Sequence, residues 1–397
     1  MRRPYRQHGF SLVELLVASG LSVAAVALAS MALVAQNNAM SALDQTRGAN
    51  AVGREAILLI EESIRRLGWG IDPRYAIDFK YGACATTAQP CRDSTFAPDE
   101  LVFVARNPNY YWFNTGDPGC TLAAGCFYGR AWPITGVTTS GSPSTLTITP
   151  QATNTTAVTI RPGQVVLAMC AGGLSPVMLT LSQSYTITGT SALLLTPDAA
   201  NMVPYNDYAS LAACHGQPGA ALFLVDRFRY FIQRFGSNSW LMLDTGVDVN
   251  ADGTRGNTPD LIPVAKNVED MQVAYAVPPL PGGCAFGDLN NHNGVLGDDP
   301  SNSTAEEPTF TTAGPLYTTT ATDPTRCNLW AGNVRSIRVT LRIRAASPDR
   351  SRAGWAGDSI PYPENRSGNV QVSSYRQYTA ETSISLRNLE SKTSFIY

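Results

Sequence analysis

Residues 10–35 read FSLVELLVASGLSVAAVALASMALVA, a run of 26 positions whose only charge is Glu14. A helix crossing the hydrocarbon core of a bilayer needs about 20 apolar residues, so this stretch is long enough to span one. Arg2, Arg3 and Arg6 stand just before it with no acid among them. By the positive-inside rule that places the N-terminus in the cytoplasm and the rest of the chain outside. A secretory signal differs in two ways, having an apolar region of about 7 to 15 residues that ends in a small-residue cleavage site. Here the run is longer, and its small-residue boundary, Gly9, precedes it. An ionised Glu14 within a bilayer costs roughly 2.5–3.5 kcal/mol on insertion scales, so it calls for a partner of opposite charge.

Downstream, the apolar run gives way to an amphipathic pattern. Ile57, Ile60, Ile64 and Leu67 recur at spacings of three, four and three, with Glu61, Glu62, Arg65 and Arg66 between them. That spacing places the four on one helical face, which is expected to pack on a globular head. Gly68 and Gly70 follow the last apolar position and supply a stop, since glycine tolerates left-handed backbone angles. A continuous helix from Phe10 to Leu67 would be about 87 Å long at 1.5 Å per residue. Gly48 and Gly53 are expected to weaken its middle.

Beyond Pro73 no helical period returns. The clearest strand is Ser336 to Arg344, where Ile337, Val339, Leu341 and Ile343 alternate with Ser336, Arg338, Thr340, Arg342 and Arg344. The alternation predicts one buried face and one wet face. A second alternation sets Ala380, Thr382, Ile384 and Leu386 against Glu381, Ser383, Ser385 and Arg387. Further strands are expected at 101–106, 145–149 and 164–169. Residues 222–235 and 240–243, joined through Gly236-Ser237-Asn238, read as a hairpin. The fold class is therefore α+β: a long N-terminal helix packed on an antiparallel β-sheet head, with a large β and loop insertion at about residues 76–220. The expected division is a leader at 1–9, a membrane half-helix at 10–35, an amphipathic half-helix at 36–70 and a β-rich head at 71–397.

Composition narrows the chemistry. With 44% hydrophobic and 15% charged residues in 397, the chain can bury a large core. Removing the three leader arginines from 29 basic residues leaves 26 against 31 acidic ones, a net charge of −5. Nucleic acid is therefore not an expected partner. Cys84, Cys91, Cys120, Cys126, Cys170, Cys214, Cys284 and Cys327 form no C-x-x-C pair, which removes the usual zinc and thioredoxin signatures. An even number in an exported chain favours disulfides. Cys84 with Cys91 and Cys120 with Cys126 would each close a short loop, and the rest of the connectivity stays open. With His215 and His292 as the only histidines after the leader, and no P-loop, H-E-x-x-H, G-x-S-x-G or dinucleotide fingerprint, catalysis is not expected.

Gly9-Phe10-Ser11-Leu12-Val13-Glu14, behind a basic leader and ahead of an uninterrupted apolar helix, resembles the type IV prepilin signature. The resemblance implies cleavage after Gly9 by a prepilin peptidase, methylation of the new N-terminus at Phe10, and a role for Glu14 in assembly, where it would pair with the Phe10 amine of a neighbouring subunit. Pro263-Val264-Ala265, the stretch Asn267 to Tyr275, Asn333 to Val339, and Ser385-Leu386-Arg387-Asn388 are similar to segments of PilW-type minor pilins. Those proteins are related to the type II secretion minor pseudopilin GspJ, but a mature length of 388 residues fits the larger minor pilins better. The implied function is a non-enzymatic subunit that helps initiate and cap a type IV pilus. Its partners would be other minor pilins, the major pilin and a large tip adhesin. Its head would lie in the periplasm before assembly and at the pilus tip afterwards. The alternatives are a secretion pseudopilin, or a tip module that itself binds a surface.

One motif carries ligand chemistry. Asp248, Asn250 and Asp252 occupy positions 1, 3 and 5 of a loop with Gly253 at position 6, the spacing with which EF-hand-type loops curl around calcium. Pro259 stands at position 12, where a bidentate Glu is the rule, and Asp260 arrives one residue later. Asp244 is a further carboxylate nearby. Asx and Gly also build ordinary turns, so calcium and a metal-free turn are both open. Asp288 to Gly294, followed by Asp298 and Asp299, is a weaker echo.

Overall fold

The computed structural model describes residues 11–71, 76–77, 97–107, 132–138, 145–148, 158–169, 177–187, 193–196, 220–276, 295–296, 334–348, 359–361, 369–371 and 375–390. A single helix, α1, runs unbroken through Leu12–Arg65, 54 residues or about 81 Å. Its first half is apolar enough and long enough to cross a membrane. Gly68 and Gly70 take φ values of +70° and +68°, and the chain turns away from the helix there, as the sequence predicts.

The strands are β1 (Leu101–Arg106), β2 (Trp132–Thr138), β3 (Thr145–Ile148), β4 (Val158–Ile160), β5 (Val165–Met169) and β6 (Val177–Thr180). They continue with β7 (Tyr185–Ile187), β8 (Leu193–Leu195), β9 (Ala221–Phe235), β10 (Asn238–Asp244), β11 (Ile262–Lys266) and β12 (Val268–Ala276). Last come β13 (Val295–Leu296), β14 (Ser336–Arg344), β15 (Ser359–Pro361), β16 (Asn369–Gln371), β17 (Gln377–Ser385) and a final helical turn, α2 (Arg387–Glu390). Every pairing among the described residues is antiparallel. The class is α+β.

Two sheets meet the helix. In the larger, the path β11-β10-β9-β2-β3-β8 is joined by β1 and β5 pairing with β9, and by β6 pairing with β5. The smaller runs β13-β12-β14-β17. The 15-residue β9 is the hub: residues 221–225 pair with β5 and residues 225–230 with β1, while residues 229–235 pair with β10. The β9–β10 connection is tighter than expected, because Asn238 pairs with Phe235 inside the ladder. Gly236 and Ser237 alone make the turn, with Gly236 at φ +62°, the left-handed first position of a two-residue hairpin. Asn267, at φ +63°, carries the chain from one sheet to the other. Its N–H donates to the Ser239 carbonyl and its own carbonyl accepts from Arg344 N–H.

The main core joins the helix stripe Ala49, Ala56, Ile57, Ile60, Ile64 and Leu67 to Phe103 of β1, Phe228 and Tyr230 of β9, and the inner faces of β12, β14 and β17. Gly53 lies in the same stripe. A Cβ there would come within 3.1 Å of both Ala380 Cβ and Ile343 Cδ1. Gly53 thus has a packing role that its expected weakening of the helix does not express: it lets the backbone approach β14 and β17. Gly48, with nothing within 4 Å of such a Cβ, has no comparable packing role.

Two expectations are corrected. On β14 the face expected to be wet is dry at its centre: Thr340 and Arg342 are buried, as are Asp270 and Gln272 of the neighbouring β12, while Ser336, Arg338 and Arg344 stay partly exposed. Polar side chains gather there under other parts of the chain, which an alternation pattern does not register. Nor is the region 76–220 a simple insertion. Within it β1 places Phe103 and Leu101 in the main core, and β5 pairs with β9. The stretch also contributes a second core around Trp132, Ile148, Val166, Leu179 and Leu222.

Candidate functional site

The apolar half of α1 stands clear of the head. Residues 11–37 are exposed throughout, with Leu15, Leu16, Val23, Leu28 and Leu33 each more than 60% accessible. Gln45 is joined to the head by its amide, which donates to Ser347 Oγ and the Pro348 carbonyl, and full burial begins at Ala49. The last turns are then fastened polar group by polar group. Ser63 Oγ lies 2.7 Å from Tyr230 Oη, Arg66 pairs with Asp226 at 2.9 Å, and Asn388 donates to the Arg65 and Leu67 carbonyls. Burial pushes the Asp226 carboxyl above its ordinary range even though Asn107 and Arg66 oppose that shift. One end of the rod is therefore sunk in the head and the other is bare.

At the bare end Glu14 has a local role that sequence reasoning overlooked. Ser11 is the N-cap: its Oγ accepts the Glu14 N–H at 3.2 Å, and the Glu14 carboxylate accepts the Ser11 N–H at 3.2 Å. The signal was present as the S-x-x-E pattern of a capping box. Gly9 and Phe10 lie outside the described residues, as do all eight cysteines and the Asp288–Asp299 stretch except Val295 and Leu296.

The Asp248 loop connects β10 to β11 and is drawn tight by its own side chains. Asp248, 1% exposed, accepts the N–H groups of Asp252 and Gly253 at 3.2 and 2.9 Å. Asn250 Oδ1 accepts the Asp252 N–H, and Asn250 Nδ2 donates to Asp252 Oδ2 at 2.8 Å. Asn257, not foreseen, donates to the same oxygen at 2.7 Å. The Asn250 amide, the Thr254 N–H and the Asn257 amide hold the Asp252 carboxyl below the usual carboxylate range. Pro259 is no obstacle at position 12. It opens a 3-10 turn, Thr258–Asp260, that swings Asp260 back so that its Oδ1 accepts the Val249 and Asn250 N–H groups at 2.7 and 3.4 Å.

Asp248, Asn250, Asp252 and Asp260 are thus brought to one loop. Asp244 is committed elsewhere, to Arg229, Arg227 and the Gly246 N–H. Among the described residues no three His, Cys, Asp or Glu side chains stand together in an arrangement ready to hold a metal ion. No protein-family model matches the chain, no curated protein matches its sequence and no solved structure matches its fold.

Proposed function

We propose that the chain is a minor subunit of a type IV pilus, processed before Phe10 and inserted in the inner membrane with its head outside. On assembly it is withdrawn into a filament, at whose tip it acts with other minor pilins. The observation that carries this reading is the 54-residue helix that is wholly exposed over residues 11–37, apolar there up to Ala35 but for Glu14 and a few serines, and buried in a β-rich head at its other end. A bare apolar rod of that length is not tolerated in water. It is tolerated in lipid and among like helices, and moving between the two exchanges one apolar surrounding for another. The rigid continuation of the same helix into the core transmits that movement to the head.

Glu14 sets the direction of exchange. In lipid its charge is costly. Among packed helices a neighbour's Phe10 amine would answer it, with the pair strengthened by a low dielectric. The test is to recover the protein from filaments sheared off its native host and to read its N-terminus by mass spectrometry. A chain beginning at methylated Phe10 is expected; an intact Met1, or a start beyond Ala35, overturns the reading.

A further inference from the structure

We propose that the loop from Asp248 to Asp260 is a binding site for a hard divalent cation of the calcium class, with Asp248, Asn250, Asp252 and Asp260 as side-chain ligands. The spacing of acids is one observation. The second is independent of it: Asp260 is 1% exposed, and while its Oδ1 takes two N–H groups from the opposite limb of the loop, its Oδ2 is buried with no hydrogen-bond partner. Asn257 Oδ1, beside Asp252, is likewise buried and unpartnered. A buried carboxylate oxygen without a donor is unfavourable, and a bound cation removes that penalty.

The hydrogen bonds already present do not compete with this role. A carboxylate offers about four lone-pair sites, so Asp248 can accept the Asp252 and Gly253 N–H groups and still face a cation. Asp252, exposed at the lip of the loop, is the ligand that must swing inward. Ala251 is held at φ +59°, a left-handed conformation that a side-chain-bearing residue rarely adopts. Strain of that kind gathers at ligand clamps. All the side-chain donors are oxygen, and no His or Cys is among the four. That favours a hard ion over zinc or copper, and a flexible glycine-containing loop suits calcium better than the strict octahedron of magnesium.

The position gives the ion a structural task. Asp248 N–H donates to the Pro162 carbonyl at 3.0 Å, the Arg161 guanidinium donates to the Val249 carbonyl, and a Cβ on Gly163 would lie 1.9 Å from Gly246 O. The loop is therefore pressed against the turn between β4 and β5, and a cation that stiffened it would tie that turn to the β10–β11 side of the large sheet. Cation binding here is independent of whether the chain is built into a filament.

The test uses the full chain in detergent, stripped with a chelator and titrated with calcium chloride by calorimetry and by thermal unfolding, with magnesium chloride in parallel. Expected are a single binding heat with Kd of about 10⁻⁴–10⁻³ M, the range of extracellular calcium modules, and a Tm that climbs with the logarithm of calcium concentration. Asp252→Ala should bind calcium at least roughly tenfold more weakly and lose most of the calcium-dependent rise in Tm, each read relative to the same variant in chelator. Asp252→Asn, which keeps the side chain's shape, should weaken binding in the same direction. Absence of both heat and Tm shift up to about 10 mM calcium, far above that range, overturns the proposal. So does undiminished calcium affinity in both variants, or magnesium binding as tight as calcium.

Discussion

Glu14 does two things that one substitution can separate. It closes a capping box with Ser11, and it is the sole charge of the apolar run. Gln serves a capping box as well as Glu does but carries no charge, whereas Ala supplies neither. If charge pairing with a neighbour's amine drives assembly, Glu14→Gln and Glu14→Ala should both insert in the membrane and both fail to enter filaments. Incorporation of the Gln variant at the level of the unsubstituted chain would reduce Glu14 to a cap, worth about 0.5–2 kcal/mol locally. Counting the protein in sheared filaments against that in membranes reads the difference. At the same scale, Asp260 shows what residue spacing conceals. It falls one place late for a calcium loop, yet the 3-10 turn at Thr258–Asp260 returns its carboxylate to the loop's first residues. A spacing rule assumes one backbone path, and this loop takes another.

Among the elements, α1 was the most legible, because Ile57, Ile60, Ile64 and Leu67 mark a buried stripe that the structure reproduces at 9%, 0%, 1% and 0% exposure. Its two mid-helix glycines look alike in sequence and differ in space. Gly48→Ala should raise stability by about 0.5–1 kcal/mol, since it relieves backbone entropy and meets nothing. Gly53→Leu should lower stability by about 1–3 kcal/mol, by pushing α1 off β14 and β17. Urea melts of the two variants in the same detergent would show opposite shifts in midpoint. The strands β1 and β14 match their expected bounds because each is a short run with clear ends. β9 was expected as half of a hairpin. That it also pairs with β1 and β5 was hidden, since each of those contacts depends on partners more than 50 residues away.

Across the whole molecule, the helix divides into a part the head needs and a part it does not. Among the described residues none before Ala49 is fully buried, so a chain lacking residues 1–36 should be soluble without detergent. It should melt within about 3 °C of the full chain, a shift worth roughly 1 kcal/mol for a domain of this size. Removing residues 76–220 should by contrast abolish cooperative melting, because β1 and β5 leave with them and strip β9 of pairing along residues 221–228. Circular dichroism during heating distinguishes the two outcomes.

The apolar run with its single acid, the stripe that follows it and the strict alternations of β14 and β17 were determined by sequence alone. Each is a local period, and local periods report which side of an element is apolar. What covers a polar face, which strands share β9, why Gly53 is small and how Asp260 reaches its loop were decided only by tertiary structure. These are properties of contacts between distant segments, and the free energy that selects them comes from packing the whole core at once.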